Sequence, residues 1–334
     1  MKNFVAIFIF LVAVNIFVPV FYCNISTGFD ISLPKGTPST GTDQSRQELP
    51  AQSSSTVTMM DKAAGKLIEV NLTDYLIGAA ACEMPAVYES EAIKAQMVAI
   101  HSYYLYCGRH PEYLEDGYIT VDSSAMTGYA DKTALMGFWG MNFYDYYRKF
   151  ARCAREVENM ILEYQGRPAL AVYHAVSCGK TQSSRRQWGN RLEYLDTVDS
   201  SFDAVSEDYL QIKTFTPSEM YSLLKVNFPT LKIDEEKPEE WFGEIIYADS
   251  GYATYVTIGG DMVPGDQFRT ALSLPSSCVM VFLEDDEFSV ATKGYGHGVG
   301  MSQFGANQLS QQGKTFDEIL NHYYPGTNLV ENDL

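Results

Sequence analysis

The chain has 334 residues, with 24 Lys and Arg against 42 Asp and Glu, a net charge of −18. So acidic a composition argues against nucleic acid or anionic lipid as the main partner, and leaves neutral polymers such as glycans open. Hydrophobic residues make up 46% of the chain and aromatic residues 13%, enough to bury a large core in one large domain or two smaller ones.

Residues 4–22 are apolar except for Asn15, long enough to cross most of a bilayer's hydrocarbon core. Bulky Phe21 and Tyr22 stand before Cys23, where a lipoprotein signal wants small residues, so residues 1–23 read as an uncleaved single-pass anchor. The remainder is then expected outside the membrane, in the extracytoplasmic space. Residues 24–65 are rich in Ser, Thr, Gly and Pro and cannot bury enough surface to fold, which predicts a flexible tether. The folded, catalytic unit is expected over 66–334, as an α+β arrangement of helices and mostly antiparallel strands forming a groove.

Leu67 to Leu72 reads as a short strand leading into a helix. Thr73 is its expected N-cap, Asp74 lies in its first turn, and Pro85 disfavours continuation past about Met84. On that helix Leu76, Ala80 and Glu83 fall at i, i+4 and i+7, so the Glu83 carboxylate shares the face that points inward. Burial and the unfavourable end of the helix dipole both push such a carboxyl toward a raised pKa, as a general acid needs. On this segment alone, a solvated glutamate ending an ordinary helix stays open as the other reading.

A second helix is predicted over about Ser90 to Cys107, with Ile93, Met97, Ile100, Tyr104 and Cys107 as its core stripe. Residues 108–145 read as loop and turn, followed by an aromatic, basic helix from about Tyr144 to Tyr164. Ala169 to Cys178 reads as a buried strand ending at Gly179. Residues 196–243 look like a peripheral excursion with one helix, from Pro217 or Ser218 to about Val226. Strands resume at Glu244–Tyr247, Ala253–Ile258 and Cys278–Glu284.

Gly294-Tyr-Gly-His-Gly-Val-Gly300 places glycine at every second position, which clears one face of an extended segment for a second backbone or a ligand. A helix follows from about Ser302 to Gly313, and Thr315-Phe-Asp-Glu318 is a capping box for a last one.

Several motifs fail. Cys178-Gly-Lys-Thr181 lacks the first glycine of a phosphate-binding loop, because His174 stands there, and the 294–300 run does not fit a dinucleotide fingerprint in any register. Cys107-Gly-Arg-His110 has no second ligand pair at zinc-site spacing, so neither metal nor cofactor is expected. Cys82 or Cys178 with His174 or His297 could form a nucleophile pair, but nothing local activates either thiol. The six cysteines allow one or two disulfides, which the sequence cannot pair.

Asp74-Tyr-Leu-Ile-Gly with Glu83-Met-Pro and Glu91-Ala-Ile-Lys-Ala-Gln96, Tyr173-His-Ala-Val-Ser-Cys-Gly-Lys-Thr181, and Gly294 to Asn307 with His322-Tyr-Tyr-Pro-Gly-Thr327 together resemble the stage II sporulation protein D family. The resemblance runs from about Lys66 to the C-terminus. It implies a membrane-anchored lytic transglycosylase cutting peptidoglycan strands stripped of stem peptides during engulfment. It also implies two partners, the amidase stage II sporulation protein P and a membrane scaffold protein, and it makes Glu83 catalytic.

Three departures from the family stand out. His101 replaces a usual arginine, no cysteines match the zinc ligands of some clostridial relatives near residues 121–128, and Ala175, Val176 and Cys178 replace small residues after Tyr173-His174. Within the signature stretches, Tyr173, His174, Ser177, Lys180, Thr181, His297, Ser302 and Gln303 are the candidate sugar contacts, with Trp188 as a possible stacking face. For His174 and His297 the competing reading is a structural one, hydrogen-bonding the glycine turns. Glu83 is expected to serve as acid and then base on the muramyl six-hydroxyl, which needs no second carboxylate. The rival reading is a non-catalytic wall-binding module that enhances the partner amidase, and a weaker third is a cysteine- or metal-dependent amide hydrolase.

Overall fold

A computed structural model describes residues 56–332. The anchor expected over 1–23 and nearly all of the tether lie outside those residues. Among the described residues no helix is long and apolar enough to cross a membrane.

The fold is α+β, with mostly antiparallel sheets around two hydrophobic cores. Ten residues that the composition assigned to the tether contain a strand: β1 (Thr56–Asp61) pairs antiparallel with β2 (Lys66–Asn71) and parallel with β3 (Ile119–Val121). Val57 and Met59 alternate with Thr56, Thr58 and Met60 in this strand, so the first two face the core and are buried while the other three are half-buried on the opposite face. Only the part before β1 can therefore be tether.

Helix α1 (Leu72–Glu83) follows directly, capped by Asn71, whose side chain accepts from the Asp74 N–H at 2.8 Å. Thr73, the expected cap, instead donates its hydroxyl to the Glu158 carboxylate. Helix α2 (Ser90–Gly108) is the pillar of the first core: residues Ala92 through Ser102 are all buried. It packs against α1, against α4 (Phe143–Val157), and against β4 (Met160–Tyr164). Residues 108–145 are not all loop, since they also contain α3 (Lys132–Trp139), capped by Asp131. The long helix expected to Tyr164 ends at Val157, and its last residues form β4, the centre of a sheet with β5 (Arg167–Pro168) and the C-terminal β14 (Asn328–Glu331).

The excursion expected over 196–243 is larger than that, with a core of its own from Phe215 to Val290 around buried Trp241, Phe268 and Phe288. Strand β7 (Leu210–Phe215) and helix α6 (Pro217–Asn227) lead into it. Two three-stranded antiparallel sheets follow: β8 (Phe242–Tyr247), β9 (Ala253–Ile258) and β10 (Asp261–Pro264), then β11 (Val279–Glu284) and β12 (Glu287–Lys293) beside β7. The chain then returns to the first core through the alternating glycines, a two-residue strand (Met301–Ser302), α8 (Gln303–Gln311) and α9 (Phe316–Tyr323). Helix α8 starts close to the predicted position, with Ser302 as its cap, and the Thr315–Glu318 capping box starts α9 as the sequence predicts.

Candidate active site

Glu83 is the last residue of α1, and Met84 turns extended just after it, with its N–H still bonded to Ala80 O at 2.9 Å. Leu76 and Ala80, two turns and one turn earlier, are fully buried, so the face that carries the carboxylate does point inward. Three consecutive alanines, Ala79 to Ala81, keep that helix slim enough for neighbouring chain to close around it.

The carboxylate opens into a narrow cleft of about 40 Å³, room for only a few waters. Tyr75 and Ala79 of α1, Ile100 and Tyr103 of α2, Ile119, Thr120, Val121 and Gly128 of the segment around β3, and Val172 and Tyr173 form its walls. Among these residues Glu83 is the one carboxylate, and no basic side chain stands with it. Burial lifts its carboxyl from the usual range to about 7, with a side-chain hydrogen bond from Gln303 working against the rise. The tyrosine hydroxyls nearby stay protonated: burial pushes Tyr173 well up, and the Glu83 charge adds to that.

Two segments far apart in sequence cross to deliver Tyr173 and Gln303. Strand β6 (Tyr173–His174) lies parallel to Met301–Ser302. On one side of that pairing, Tyr295 N–H donates to Val176 O at 2.7 Å; on the other, Phe304 N–H donates to Ala175 O at 3.0 Å. The alternating glycines make the crossing possible. A β-carbon on Gly300 would stand 2.0 Å from Val172 O, and one on Gly294 would stand 2.7 Å from Val176 O. The cleared space is filled by the protein itself: by backbone at Gly294 and Gly300, by the His174 β-carbon at Gly296 and by the Tyr252 ring at Gly298.

Gln303, at the first position of α8, also reaches Gln96 Oε1 at 3.4 Å through its Nε2. Gln96 is fully buried on α2 and was not among the candidates, although it closes the Glu91-Ala-Ile-Lys-Ala-Gln96 stretch. Its sequence signal was a glutamine three residues after Ile93, on a helix face that is otherwise apolar.

The remaining candidates separate into three groups. His174 and His297 are buried with ring centroids 5.9 Å apart, and half-buried Trp188 lies 5.4 Å from His297. Both histidines hold Val299: His174 Nδ1 is 3.1 Å from Val299 O, and His297 Nδ1 accepts Val299 N–H at 3.0 Å. Their Nδ1 atoms thus serve the structural role, while the Nε2 atom of each is buried without a hydrogen-bond partner. Burial drives both rings to about 3, so they are neutral.

Ser177, Thr181 and Ser302 are fully buried and spent on the frame, not on a groove. Ser177 and Ser302 both hydrogen-bond buried Asp203, and the Ser177 N–H donates to it at 2.7 Å. Thr181 Oγ1 donates to Asp196 O and accepts from Val198 N–H at 2.8 Å. Lys180 is exposed on the turn that follows. Polar residues in a glycine-rich signature look alike in sequence, and only the position of Asp203, which no pattern announces, separates scaffold from surface.

His101 lies away from the cleft. It is buried against the Met160 and Glu158 backbone, and burial lowers its ring to about 4. Neither cysteine reading of a nucleophile is favoured: burial raises the Cys82 thiol, and the hydrogen bond to Cys278 together with burial raises that of Cys178, while thiolate is what a nucleophile needs.

A family model described as Stage II sporulation protein matches residues 60–164, the stretch that contains α1, α2 and most of the cleft wall. Stage II sporulation protein D of Bacillus subtilis is 32% identical over 277 residues, covering 81% of this chain and 78% of that protein. Its counterpart in Bacillus amyloliquefaciens is 31% identical, covering 79% of this chain and 75% of its own length. A protein named Amidase enhancer, from Bacillus subtilis, is 25% identical over 74% of this chain and 39% of its own length.

Proposed function

Because this chain belongs to the stage II sporulation protein D family of sporulation proteins, we propose that it is a peptidoglycan lytic transglycosylase, held to the membrane by its N-terminal apolar run and acting on denuded glycan strands during engulfment. What supports the reaction is one observation: a single carboxyl, raised to about 7, in a cleft whose walls hold no second one. An ordinary glycosidase needs two carboxylates, one to protonate the leaving oxygen and one as nucleophile or to activate water. A reaction whose nucleophile is a hydroxyl of the substrate itself needs only one.

In the proposed sequence, protonated Glu83 gives its proton to the glycosidic oxygen between N-acetylmuramic acid and N-acetylglucosamine, and that bond breaks as oxocarbenium character grows at the muramyl carbon. The carboxylate left behind takes the proton of the muramyl six-hydroxyl as that oxygen closes on the same carbon. Glu83 ends as it began, no water is consumed, and the strand carries a 1,6-anhydro end. A pKa near the operating pH suits both halves of the cycle. Tyr173 and Gln303 would hold the carboxyl and the incoming ring, and Lys180 and Trp188 are the outer contacts. Protein P and the membrane scaffold complete the proposed assembly.

The test is the chemistry of the ends. The full chain in detergent, incubated with denuded glycan, should release anhydromuramyl ends without new reducing ends; reducing ends would sink the proposal. The name of one relative favours a second reading, in which the domain binds glycan and stimulates an amidase without cutting. Under it, Glu83→Gln would leave amidase stimulation untouched and glycan uncut by either protein.

A further inference from the structure

Cys178 and Cys278 are a hundred residues apart, the first in the segment that crosses the glycines and the second just before β11, the strand whose Val279 lies in the second core. Their sulfurs nevertheless converge on one point. A β-carbon on Gly251 would lie 3.5 Å from Cys178 Sγ and 3.9 Å from Cys278 Sγ, so that both thiols fill the space left by that glycine. They also hydrogen-bond each other, while Cys178 Sγ lies 3.2 Å from Ser250 O. Both residues are half-buried, so a small oxidant can reach the pair. Cys82, Cys107 and Cys153 are buried.

We propose that Cys178 and Cys278 close a disulfide that ties the second core to the segment carrying Tyr173. The inference does not rest on the reaction at Glu83. The environment divides the roles. The hydrogen bond from Cys178 and the nearby Lys293 ammonium favour the Cys278 thiolate, whereas Cys178 is held protonated. Cys278 attacks one sulfur of an external disulfide, such as oxidised glutathione or a protein oxidoreductase, and expels the first thiolate. Cys178 then loses its proton to water and attacks the Cys278 sulfur of the mixed disulfide, expelling the second. Two thiols have lost two protons and two electrons, and the external disulfide has become two thiols.

The bond would enclose the chain from residue 178 to 278, including β7 to β10, in one covalent loop. The second core could not then detach without first being cut or reduced. Long loops constrain the unfolded chain most, so the oxidised protein should melt several degrees above the reduced one.

The experiment uses the full chain, incubated with oxidised glutathione, alkylated, and digested without reduction. Expected is one linked peptide joining Cys178 to Cys278, two hydrogens lighter than the sum of its halves, lost on reduction and absent from Cys178→Ser. Recovery of both cysteines as alkylated peptides, as separate glutathione adducts, or joined to other cysteines would overturn the proposal. Equal melting temperatures for oxidised and reduced protein would remove the claim that the bond ties the two cores.

Discussion

The side-chain amide of Gln303 lies against the Glu83 carboxyl, joining the first turn of α8 to the last of α1. One end of the contact comes from the C-terminal quarter of the chain and the other from its N-terminal third. The crossing of the 294–300 glycine segment with the 172–176 segment holds them together. Since the amide donates to the carboxylate, it favours the ionised form and opposes the effect of burial.

That sign makes Gln303→Leu informative. Loss of one net hydrogen bond, roughly 0.5–1.5 kcal/mol, should move the Glu83 titration upward by about 0.4–1 unit. In a profile of kcat/KM against pH, the falling limb near 7 should shift to higher pH in the variant. A limb that stays in place, or moves down, would show that the amide does not act on Glu83.

Glu83 should also leave a mark on stability. Its carboxyl is raised from the 4.5 of an unfolded chain to about 7, so the folded state is favoured below 4.5 and loses that margin as pH rises through 7. Glu83→Gln removes the charge and should be more stable than the natural chain at pH 8 by roughly 1–3 kcal/mol, and about equal to it at pH 4. Urea midpoints at the two pH values check this; equal differences at both would contradict a half-buried, titrating carboxyl.

The three buried histidines predict the opposite slope on the acid side. Burial lowers His101 to about 4 and His174 and His297 to about 3, so their contribution is complete above the ordinary value of 6.5 and is lost as pH falls through that window. At pH 5 each should already cost roughly 1–2 kcal/mol relative to pH 7. His101→Gln should flatten the loss by one such share, measured by urea denaturation; an unchanged slope would place His101 outside the acid response.

Gly300 is the glycine that the crossing can least spare. It sits at φ +73, and a β-carbon would stand 2.0 Å from Val172 O, so Gly300→Ala should cost about 3 kcal/mol or more through strain and overpacking. Gly313 has φ +86 with nothing within 4 Å, and Gly313→Ala should cost only about 1–2 kcal/mol. Comparable losses in the two variants would mean that the crossing tolerates a spread, and that Tyr173 and Gln303 are less firmly placed than described.

Much of the frame around Glu83 is written locally. The apolar α1 with its carboxylate on the inward face, the stripe of α2, the helix start near Ser302 and the Thr315–Glu318 box need only neighbouring residues to be read. What escaped reading depends on distant ones. Ile119–Val121 is too short for a strand pattern, yet it forms a wall of the cleft once β1 pairs with it. Threonines hid β1 itself within a stretch whose composition suggested tether. The second core escaped because Leu210 and Ile212, on the strand that opens it, are exposed and show no buried stripe. Ser177 and Ser302 passed for ligand contacts because the Asp203 that claims them lies elsewhere in the chain.

The most direct test of Glu83 as the single acid and base is Glu83→Gln in the full chain, assayed on denuded glycan for anhydromuramyl ends and, separately, for glycan binding. The expected result is a fall in release of roughly 10²–10⁴-fold, the usual worth of acid–base catalysis, with binding retained. Anhydromuramyl release at the natural rate from a folded, glycan-binding Glu83→Gln protein would contradict the account.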